Sequence, residues 1–499
     1  MQRTWVRETA GWLGAAALAV IVAAQVAATA RAELLFRDGD SLVVALFADS
    51  VLSAAPLDWA MSSVLFLPET AVFAALDAVL PLDPNSLLAV CAVVNLMAVY
   101  GALRLAAGRR SPGAAPAAWA LIATAAFGAL AMTEASPSRD ALELASLQLT
   151  TTYYSATVVA VIAAVGLTRR ALDADRRPVA AFAGLGVVAA ASALTNPLFA
   201  AWATVPLTLL LLLALRDVER RGRVLMLLAL LLTGTGLGLL VRIPFSAWIA
   251  NAGVGYARPA EWMQALGYYG GLLAERLSAP LGVVGALLTL ALLVLAIRNT
   301  ARAQGQGARL VAAAGWMLPL LVVIGGIALG THAARYLQPV AFAPLLGLVA
   351  LPRTAGLPRR LGVQLVSATA VVLLAAASVS LPRLSAAAQA PDRDLGCVTD
   401  WVEGSGRIGA GQFWTVRLPK AHLDDSALLV QVDHRLNAYA WLVNRTDFAV
   451  GEVSFLVEDA QSVPWDLPVS AVPEEIVDCG RYRILDFGAQ RLPLGPQRS

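Results

Sequence analysis

The stretch GWLGAAALAVIVAAQVAATA at residues 11–30 decides the fold, because a run of this length without a charged side chain can cross a bilayer. Arg3 and Arg7 precede it, which predicts a first membrane-spanning helix with the N-terminus in the cytoplasm. The triplet Ala-Arg-Ala at 30–32 also resembles a signal-peptide cleavage site, and a cleaved signal is the alternative. The run is long for a signal core, which favours a retained helix. Both interpretations export the residues that follow.

Similar apolar runs recur along the chain. The protein is 58% hydrophobic and 14% charged, and its mean hydropathy is +0.69, values outside the range of soluble globular domains. Further spans are predicted at 85–107, 114–133, 152–168, 179–194, 198–215, 224–241, 280–297, 310–330, 337–351 and 362–381. The fold class expected is therefore a polytopic α-helical membrane protein with about eleven transmembrane helices embedded in a lipid bilayer.

Arginines indicate the orientation of these spans. With the N-terminus inside, arginines at the predicted cytoplasmic ends outnumber those at the external ends by more than two to one. The external set is Arg31, Arg37, Arg139, Arg242, Arg258, Arg276, Arg335 and Arg383. A net charge of only +3, spread thinly, argues against nucleic acid as a partner. The abundance of alanine and the use of arginine in place of lysine are typical of a GC-rich bacterium, so the expected location is a bacterial cell membrane.

Two regions outside the spans have a different character. The external loop 33–83 alternates acids with short apolar stretches, and we predict interfacial helices after Asp40 and at 68–80. From 382 to 499 the apolar runs are short and alternating, which predicts a small β-rich extracytoplasmic domain with strands near 412–418, 427–432, 438–443, 453–457 and 481–487. The transmembrane domain would then be 1–381. Cys397 and Cys479 fit one disulfide in an oxidising compartment, with two unpaired thiols as the alternative.

The first external loop has the strongest candidate for chemistry. It begins Phe-Arg-Asp-Gly-Asp-Ser at 36–41 and places Asp38 and Asp40 directly after the first span. Such a pair can bind a divalent metal, Mg²⁺ or Mn²⁺, through oxygen ligands, or one carboxylate can take a proton from an attacking hydroxyl. Asp-Gly-Asp is also ordinary turn chemistry.

Other polar groups fall on the same predicted face of the membrane. An arginine there suits a phosphate diester because its planar fork donates two parallel hydrogen bonds; snorkelling at the interface is the plainer explanation. The candidate substrate-binding residues are Glu69, Arg139, Arg242, Arg258, His332, Arg335 and Tyr336. The sequence lacks a P-loop, HExxH, CxxC and a Gly-x-Ser-x-Gly elbow, and it has only three histidines.

This arrangement resembles the integral-membrane glycosyltransferases of the GT-C class. The segment 37–41 stands where that class has an early catalytic aspartate, 66–80 is similar to its second juxtamembrane helix, and Arg-Tyr-Leu-Gln-Pro at 335–339 is similar to its Arg-Tyr-Leu-x-Pro stretch. The tail, with Cys397, Phe-Trp at 413–414 and 439–444, is similar to external domains of actinobacterial members. The Trp-Trp-Asp motif of the peptide-glycosylating enzymes is absent.

The resemblance implies an inverting glycosyltransferase. Its donor would be a polyprenyl-phosphate sugar and its acceptor a glycan or lipid of the cell envelope, with Asp40 or Asp38 as general base. Two alternatives stay open at this point. One is a transporter or flippase of lipid-linked sugars, although the sequence has no evident repeat. The other is a catalytically inactive scaffold protein of the envelope.

Overall fold

The structure is a computed structural model that describes residues 2–251, 253, 255–354, 358–467 and 471–498, and 66% of its residues are helical. The chain divides into two compact units. The first, the helical unit, comprises Met1–Ala32, Ala89–Ile243 and Val254–Ala387. The second, the sheet unit, comprises Glu33–Leu88, Pro244–Gly253 and Ala388–Ser499.

The helical unit is built from apolar helices rich in alanine and leucine, residues that lose little conformational freedom in a helix. Its α-helices are Gln2–Ala27, Pro84–Ala106, Pro116–Met132, Ser155–Leu172, Val179–Thr195, Val205–Ala214, Arg221–Val241, Trp262–Ser278, Pro280–Arg302, Gln306–Ala328, Pro339–Phe342, Leu346–Ala350 and Arg359–Ala388. A π-helical turn, Ala200–Thr204, precedes Val205–Ala214.

Among the described residues, seven helices are long and apolar enough to cross a membrane. They are Trp5–Ala27, Pro84–Ala106, Ser155–Leu172, Val218–Val241, Pro280–Arg302, Gln306–Ala328 and Arg360–Ala388. The remaining four predicted spans coincide with shorter apolar helices at Pro116–Met132, Val179–Thr195, Ala200–Ala214 and Ala334–Ala350. The prediction of a multi-pass helical membrane protein is therefore confirmed at the level of several membrane-capable helices.

Glycines permit a close contact between two helices of this unit. A Cβ on Gly234 would lie 2.7 Å from the carbonyl oxygen of Gly186, and one on Gly238 would lie 2.2 Å from that of Ala190. Both distances are shorter than a carbon and an oxygen can approach. The spacing Gly-x-x-x-Gly at 234–238 therefore lets Arg221–Val241 pack directly against the backbone of Val179–Thr195, as small residues do between helices in lipid.

The sheet unit contains the loop 33–83, which was predicted to be external. Its α-helices are Ala32–Phe36, Val43–Leu52, Leu67–Asp77, Arg393–Ser405 and Phe413–His422. Val43–Leu52 and Leu67–Asp77 occur at the two places where helices were predicted in the loop. The two-residue strand Trp59–Ala60 pairs with Val443–Asn444, so the loop and the C-terminal segment form one folded body.

A seven-stranded mixed sheet organises the C-terminal segment. Three parallel strands lie at its centre, Leu429–Val432, Gly409–Gln412 and Phe455–Glu458. The antiparallel pair Tyr482–Asp486 and Glu475–Cys479 continues one side; Asn437–Tyr439 and Gly495–Arg498 continue the other. Two buried clusters cover its faces, one centred on Val416, Phe455 and Ile484, the other on Val430, Leu456 and Phe487. The β-sheet region predicted at the C-terminus is present.

One predicted strand was wrong. The segment 412–418 was expected to be extended because it is rich in aromatic and β-branched residues. Instead Phe413–His422 is a helix that follows the strand Gly409–Gln412, and its residue Val416 enters the hydrophobic core. The helix Arg393–Ser405 was not predicted. The Cys397–Cys479 disulfide connects that helix to the end of the strand Glu475–Cys479, with Cα atoms 5.5 Å apart.

Candidate functional site

The acidic loop, residues 37–42, is a tight turn between the helices Ala32–Phe36 and Val43–Leu52. The backbone N–H of Leu42 donates to the carbonyl of Asp38, and that of Val43 donates to the carbonyl of Asp40, each at 3.3 Å. The Asp38 carboxylate accepts a hydrogen bond from the N–H of Ser41 at 3.3 Å. The Asp38 side chain therefore contributes a hydrogen bond to the turn itself. Both aspartates are half-buried.

Arg417 contacts this turn from the helix Phe413–His422. None of its surface is exposed. Its Nε donates to the carbonyl oxygen of Gly39 at 3.2 Å, between the two aspartates. Its Nη1 donates to the carbonyl oxygen of Leu442 and to Oε1 of Gln431 at 3.4 Å. The guanidinium therefore connects the acidic loop to two further segments of the sheet unit.

Neighbouring side chains hold Arg417 in place. The ring of Phe413 lies 5.2 Å from the guanidinium carbon, a cation–π distance. Gln431 donates to the carbonyls of Tyr439 and Trp441, each at 2.8 Å, which directs its Oε1 towards Arg417. Because these partners are themselves fixed by hydrogen bonds and packing, Arg417 has little freedom to move.

Electrostatics link the same residues. Burial lowers the pKa of Arg417 to about 10, and the negative charges of Asp40, Asp447 and Asp38 oppose that fall. The guanidinium is therefore still charged at neutral pH. Burial also raises the pKa of the Tyr439 hydroxyl, and the charge of Asp40 raises it further. Asp40 thus lies within electrostatic reach of a buried cation and of a phenol.

A small cavity lies behind Arg417. It has a volume of about 10 Å³ and is lined by Leu46, Ser50, Trp59, Lys420, Asn444 and Asp447 among others. Such a volume holds about one water molecule. The cavity is therefore too small for a sugar, and the acidic loop itself is the better candidate site.

Glu69 belongs to the same unit. It lies in the first turn of the helix Leu67–Asp77 and is 8% exposed. A carboxylate at a helix N-terminus interacts favourably with the helix dipole. This position gives Glu69 a structural role at the start of the helix.

The helical unit contains the remaining predicted residues. Arg335 is the centre of one group: its Nε donates to the Tyr154 hydroxyl at 3.3 Å, and its Nη1 lies 3.5 Å from the Asp140 carboxylate. Its guanidinium carbon lies 5.8 Å from the ring centroid of Tyr336. Tyr154 and Tyr336 stack on each other, with their centroids 6.5 Å apart. This arginine–tyrosine group presents a half-buried cation surrounded by phenol rings.

His332 and Arg258 form a second group. Arg258 pairs with Glu261 at 3.2 Å, and Nδ1 of His332 lies 3.9 Å from the other oxygen of the same carboxylate. The ring of Tyr268 lies 5.5 Å from that of His332. The carboxylate of Glu261 therefore connects Arg258, which precedes the helix Trp262–Ser278, with His332, which follows the helix Gln306–Ala328.

Arg242 and Arg139 are the remaining predicted arginines of the helical unit. Nη1 of Arg242 donates to the carbonyl oxygen of Leu194 at 2.7 Å, so this arginine binds the end of a neighbouring helix. Arg139 is half-buried in the segment that follows Pro116–Met132. Arg242 thus has a structural partner of its own.

A buried charge cluster was missed by the sequence analysis. Arg31 is 1% exposed and donates to the carbonyls of Ser138 and Glu143; its side chain also lies 3.4 Å from the Glu143 carboxylate and 3.9 Å from that of Glu134. Arg276 lies 3.6 Å from Glu134. The cluster holds the segment that leads to Asp140 and Tyr154. The only sequence signal was an arginine at the end of a span, which also resembled a cleavage site.

The predicted residues therefore fall into two sets. Asp38, Asp40 and Glu69 belong to the sheet unit, and the arginines, His332 and Tyr336 belong to the helical unit. Arg417, Gln431 and Tyr439 join the acidic loop without having been proposed as site residues. Over the part of the chain that the structure describes, no group of three or more His, Cys, Asp or Glu side chains is arranged to hold a metal ion.

No known protein family matches the chain, and no curated protein is similar to it in sequence.

Proposed function

We propose that this protein is a membrane glycosyltransferase of GT-C type, which moves a sugar from a polyprenyl phosphate to an acceptor of the cell envelope outside the cytoplasm. The observation that supports the proposal is the acidic loop: Asp40 is half-buried and directly follows Gly39, whose carbonyl oxygen accepts a hydrogen bond from the fully buried Arg417. The backbone carbonyl of Asp40 accepts the Val43 N–H, so the turn that carries this carboxylate is folded before a substrate binds, as a general base requires.

The predicted topology is compatible with such a reaction. Eleven spans with a cytoplasmic N-terminus would place the acidic loop, the Arg335 segment and the C-terminal region on the external side, where nucleotide sugars are absent and lipid-linked donors are used. Seven long apolar helices and four shorter ones are compatible with this count. The active protein would reside in the bacterial plasma membrane.

The proposed reaction is a single displacement with inversion. The Asp40 carboxylate takes the proton of the acceptor hydroxyl, the acceptor oxygen bonds to the anomeric carbon, and the bond from that carbon to the phosphate oxygen breaks. Polyprenyl phosphate leaves with the electron pair. Asp40 is preferred over Asp38 because the Asp38 carboxylate accepts the Ser41 N–H in the turn. Within the helical unit, Arg335 with the Tyr154 hydroxyl and the Tyr336 ring is a separate candidate for binding phosphate.

The test uses the full-length protein purified in detergent with radiolabelled polyprenyl-phosphate sugars and envelope acceptors. Asp40→Asn should lower the rate of sugar transfer by about 10² to 10⁴-fold, the usual contribution of a general base. Asp38→Asn should lower it less, through a weaker turn. Asp49→Asn, an exposed acid of the neighbouring helix, is the matched control and should retain wild-type activity.

Sugar transfer that survives both Asp38→Asn and Asp40→Asn would exclude the proposed base. A wild-type protein that forms no product with any donor would point to the inactive scaffold.

One observation favours a transporter as the second candidate. The helix Val179–Thr195 ends at Asn196, whose amide donates to the Thr157 hydroxyl at 2.9 Å, and a π-helical turn follows at Ala200–Thr204. Within that turn, Trp202 donates to the carbonyl oxygen of Tyr336 at 3.1 Å. Transporters often use interrupted helices of this kind at their substrate sites. Movement of lipid-linked sugar across vesicles without product would support this alternative.

A further inference from the structure

The acidic loop has a counter-charge of its own. Arg417 is fully buried and donates to the Gly39 carbonyl from within the sheet unit, so its positive charge sits beside the turn that carries both aspartates. A buried guanidinium is strongly destabilising unless nearby negative charge compensates it. Asp40 and Asp38 contribute that charge together with Asp447. The two aspartates therefore already have a permanent cationic partner.

This arrangement conflicts with the expectation of a divalent metal on Asp38 and Asp40. A metal cation bound to the two carboxylates would neutralise the negative charge that compensates Arg417. The guanidinium would also repel that cation. Asp38 also uses a carboxylate oxygen to accept the Ser41 N–H. The carboxylates fit a fixed arginine better than they fit a metal.

Packing makes the contact tight as well as charged. A Cβ added to Gly39 would lie 3.2 Å from the Trp414 ring and 3.5 Å from Cγ of Arg417. The first distance is closer than most such contacts, so the glycine lets the helix Phe413–His422 lie directly on the turn. Position 39 thus offers a way to disturb the contact from the loop side without changing Arg417.

We propose that Arg417 is the positioning residue and fixed counter-cation of the acidic loop, so that the C-terminal segment completes the candidate site and the loop is ordered without a divalent metal. The catalytic consequence rests on the proposed function; the ordering of the loop does not. Arg417 acts through the turn, by holding the Gly39 carbonyl and balancing the charge of Asp40.

Hydrogen exchange of the full-length protein tests the ordering directly. The amides of Leu42 and Val43, which donate to the carbonyls of Asp38 and Asp40, should exchange about tenfold faster or more in Arg417→Met, the effect of losing one hydrogen bond to a charged group. Gly39→Val should raise the same exchange from the loop side. Arg407→Met is the matched control: it removes a two-point ion pair with Asp486 in the same unit and should leave these amides unchanged.

Divalent metal provides the second arm. Exchange of Leu42 and Val43 in the wild type should be the same in EDTA as in Mg²⁺ or Mn²⁺. A metal-dependent gain of protection would overturn the assignment of Arg417 as the counter-cation. If Leu42 and Val43 exchange at the wild-type rate in Gly39→Val and in a folded Arg417→Met, the positioning role of Arg417 is wrong. If Arg417→Met does not fold, the exchange rates in Gly39→Val alone test that role.

Activity separates this inference from the proposed function. If the protein transfers sugar, Arg417→Met should lower kcat by more than it raises KM, because the acceptor and donor sites stay intact while the base is misplaced. Added guanidinium should restore part of kcat in Arg417→Gly, as expected for a missing guanidinium but not for a general loss of stability. If the wild type transfers no sugar, the proposed function fails while the exchange results still decide the role of Arg417.

Discussion

Lys420 is the only lysine in a chain whose other basic residues are arginines, and it is 4% exposed. Its Nζ donates to the carbonyls of Ser426 and Leu429 at 2.6 and 2.9 Å and lies 2.9 Å from the Asp447 carboxylate. A compact ammonium group with three donors satisfies this site, whereas the larger, planar guanidinium would not fit the same three acceptors. The departure from arginine therefore has a steric cause.

Replacing Lys420 by Met should lower the free energy of unfolding by about 3 kcal/mol, because the Asp447 charge would stay buried without its partner. Thermal unfolding followed by tryptophan fluorescence in detergent measures the change. The double variant Lys420→Met/Asp447→Leu should recover only part of the lost stability, because Asp447 also contributes negative charge near Arg417. A single variant as stable as the wild type would show that the pair contributes nothing.

His422 predicts a pH dependence. Its Nδ1 lies 3.0 Å from the Leu418 carbonyl, and burial lowers its pKa below the ordinary 6.5, against the opposing effects of that carbonyl, Asp83 and Asp392. As pH falls through 6.5 the unfolded chain takes up the proton first, so stability present above this pH is lost on acidification.

Between pH 7 and pH 5 the wild type should therefore lose more stability than His422→Gln, whose side chain does not titrate. Melting temperatures of the two proteins across this range give the comparison. Parallel curves would mean that His422 makes no contribution.

At the scale of elements, the Cys397–Cys479 disulfide joins the helix Arg393–Ser405 to the strand Glu475–Cys479 across a separation of 82 residues. Closing a loop of this length restricts the unfolded chain, which corresponds to about 4 kcal/mol of stabilisation in the chain-entropy model. The double variant Cys397→Ala/Cys479→Ala should therefore unfold at a lower temperature than the oxidised wild type. Reduction of the wild type should reproduce the shift, and reduction should leave the double variant unaffected.

The helices and strands that could be predicted from the sequence are those whose conformation is determined by their own residues. An apolar run longer than a membrane is thick becomes a helix whatever surrounds it, which explains the agreement from Gln2–Ala27 to Arg359–Ala388. The strand prediction for 412–418 was wrong because its β-branched and aromatic residues favour a strand, whereas in the structure Val416 packs into the core from a helix. Tertiary packing overrode local preference there.

The candidate site was predictable only in part, for a related reason. Asp38 and Asp40 can be recognised from their spacing in the sequence. Arg417, however, binds the intervening Gly39 from a position 378 residues away. In the sequence, Arg417 is a single cation between Val416 and Leu418, with nothing to distinguish it from a residue on a solvated surface. The pairing of Trp59 with Asn444 joins the same two segments, and contacts between residues so far apart in the sequence have no local sequence signal.

At the scale of the molecule, the chain segments that form the sheet unit constrain the membrane topology. The loop Glu33–Leu88 and the segment Ala388–Ser499 fold as one body, so they must lie on the same side of the membrane. An even number of crossings must then separate Leu88 from Ala388. Ten spans follow the first external loop in the eleven-span arrangement, which satisfies this condition independently of the arginine distribution.

Cysteine labelling tests on which side of the membrane the sheet unit lies and whether the number of crossings is even. In a Cys91→Ala background, with the native disulfide intact, Asp49→Cys and Asp425→Cys introduce exposed thiols into the two segments of the sheet unit, and Asp175→Cys introduces one beside Arg176 and Arg177. A membrane-impermeant maleimide should modify positions 49 and 425 in intact cells, since both are predicted to be external. It should reach position 175 only after permeabilisation, because arginines concentrate at cytoplasmic ends. Labelling of position 49 without position 425 would contradict the single sheet unit and the even number of crossings. Labelling of position 175 alone in intact cells would show that the protein has the opposite orientation, with the acidic loop in the cytoplasm and out of reach of an exported donor.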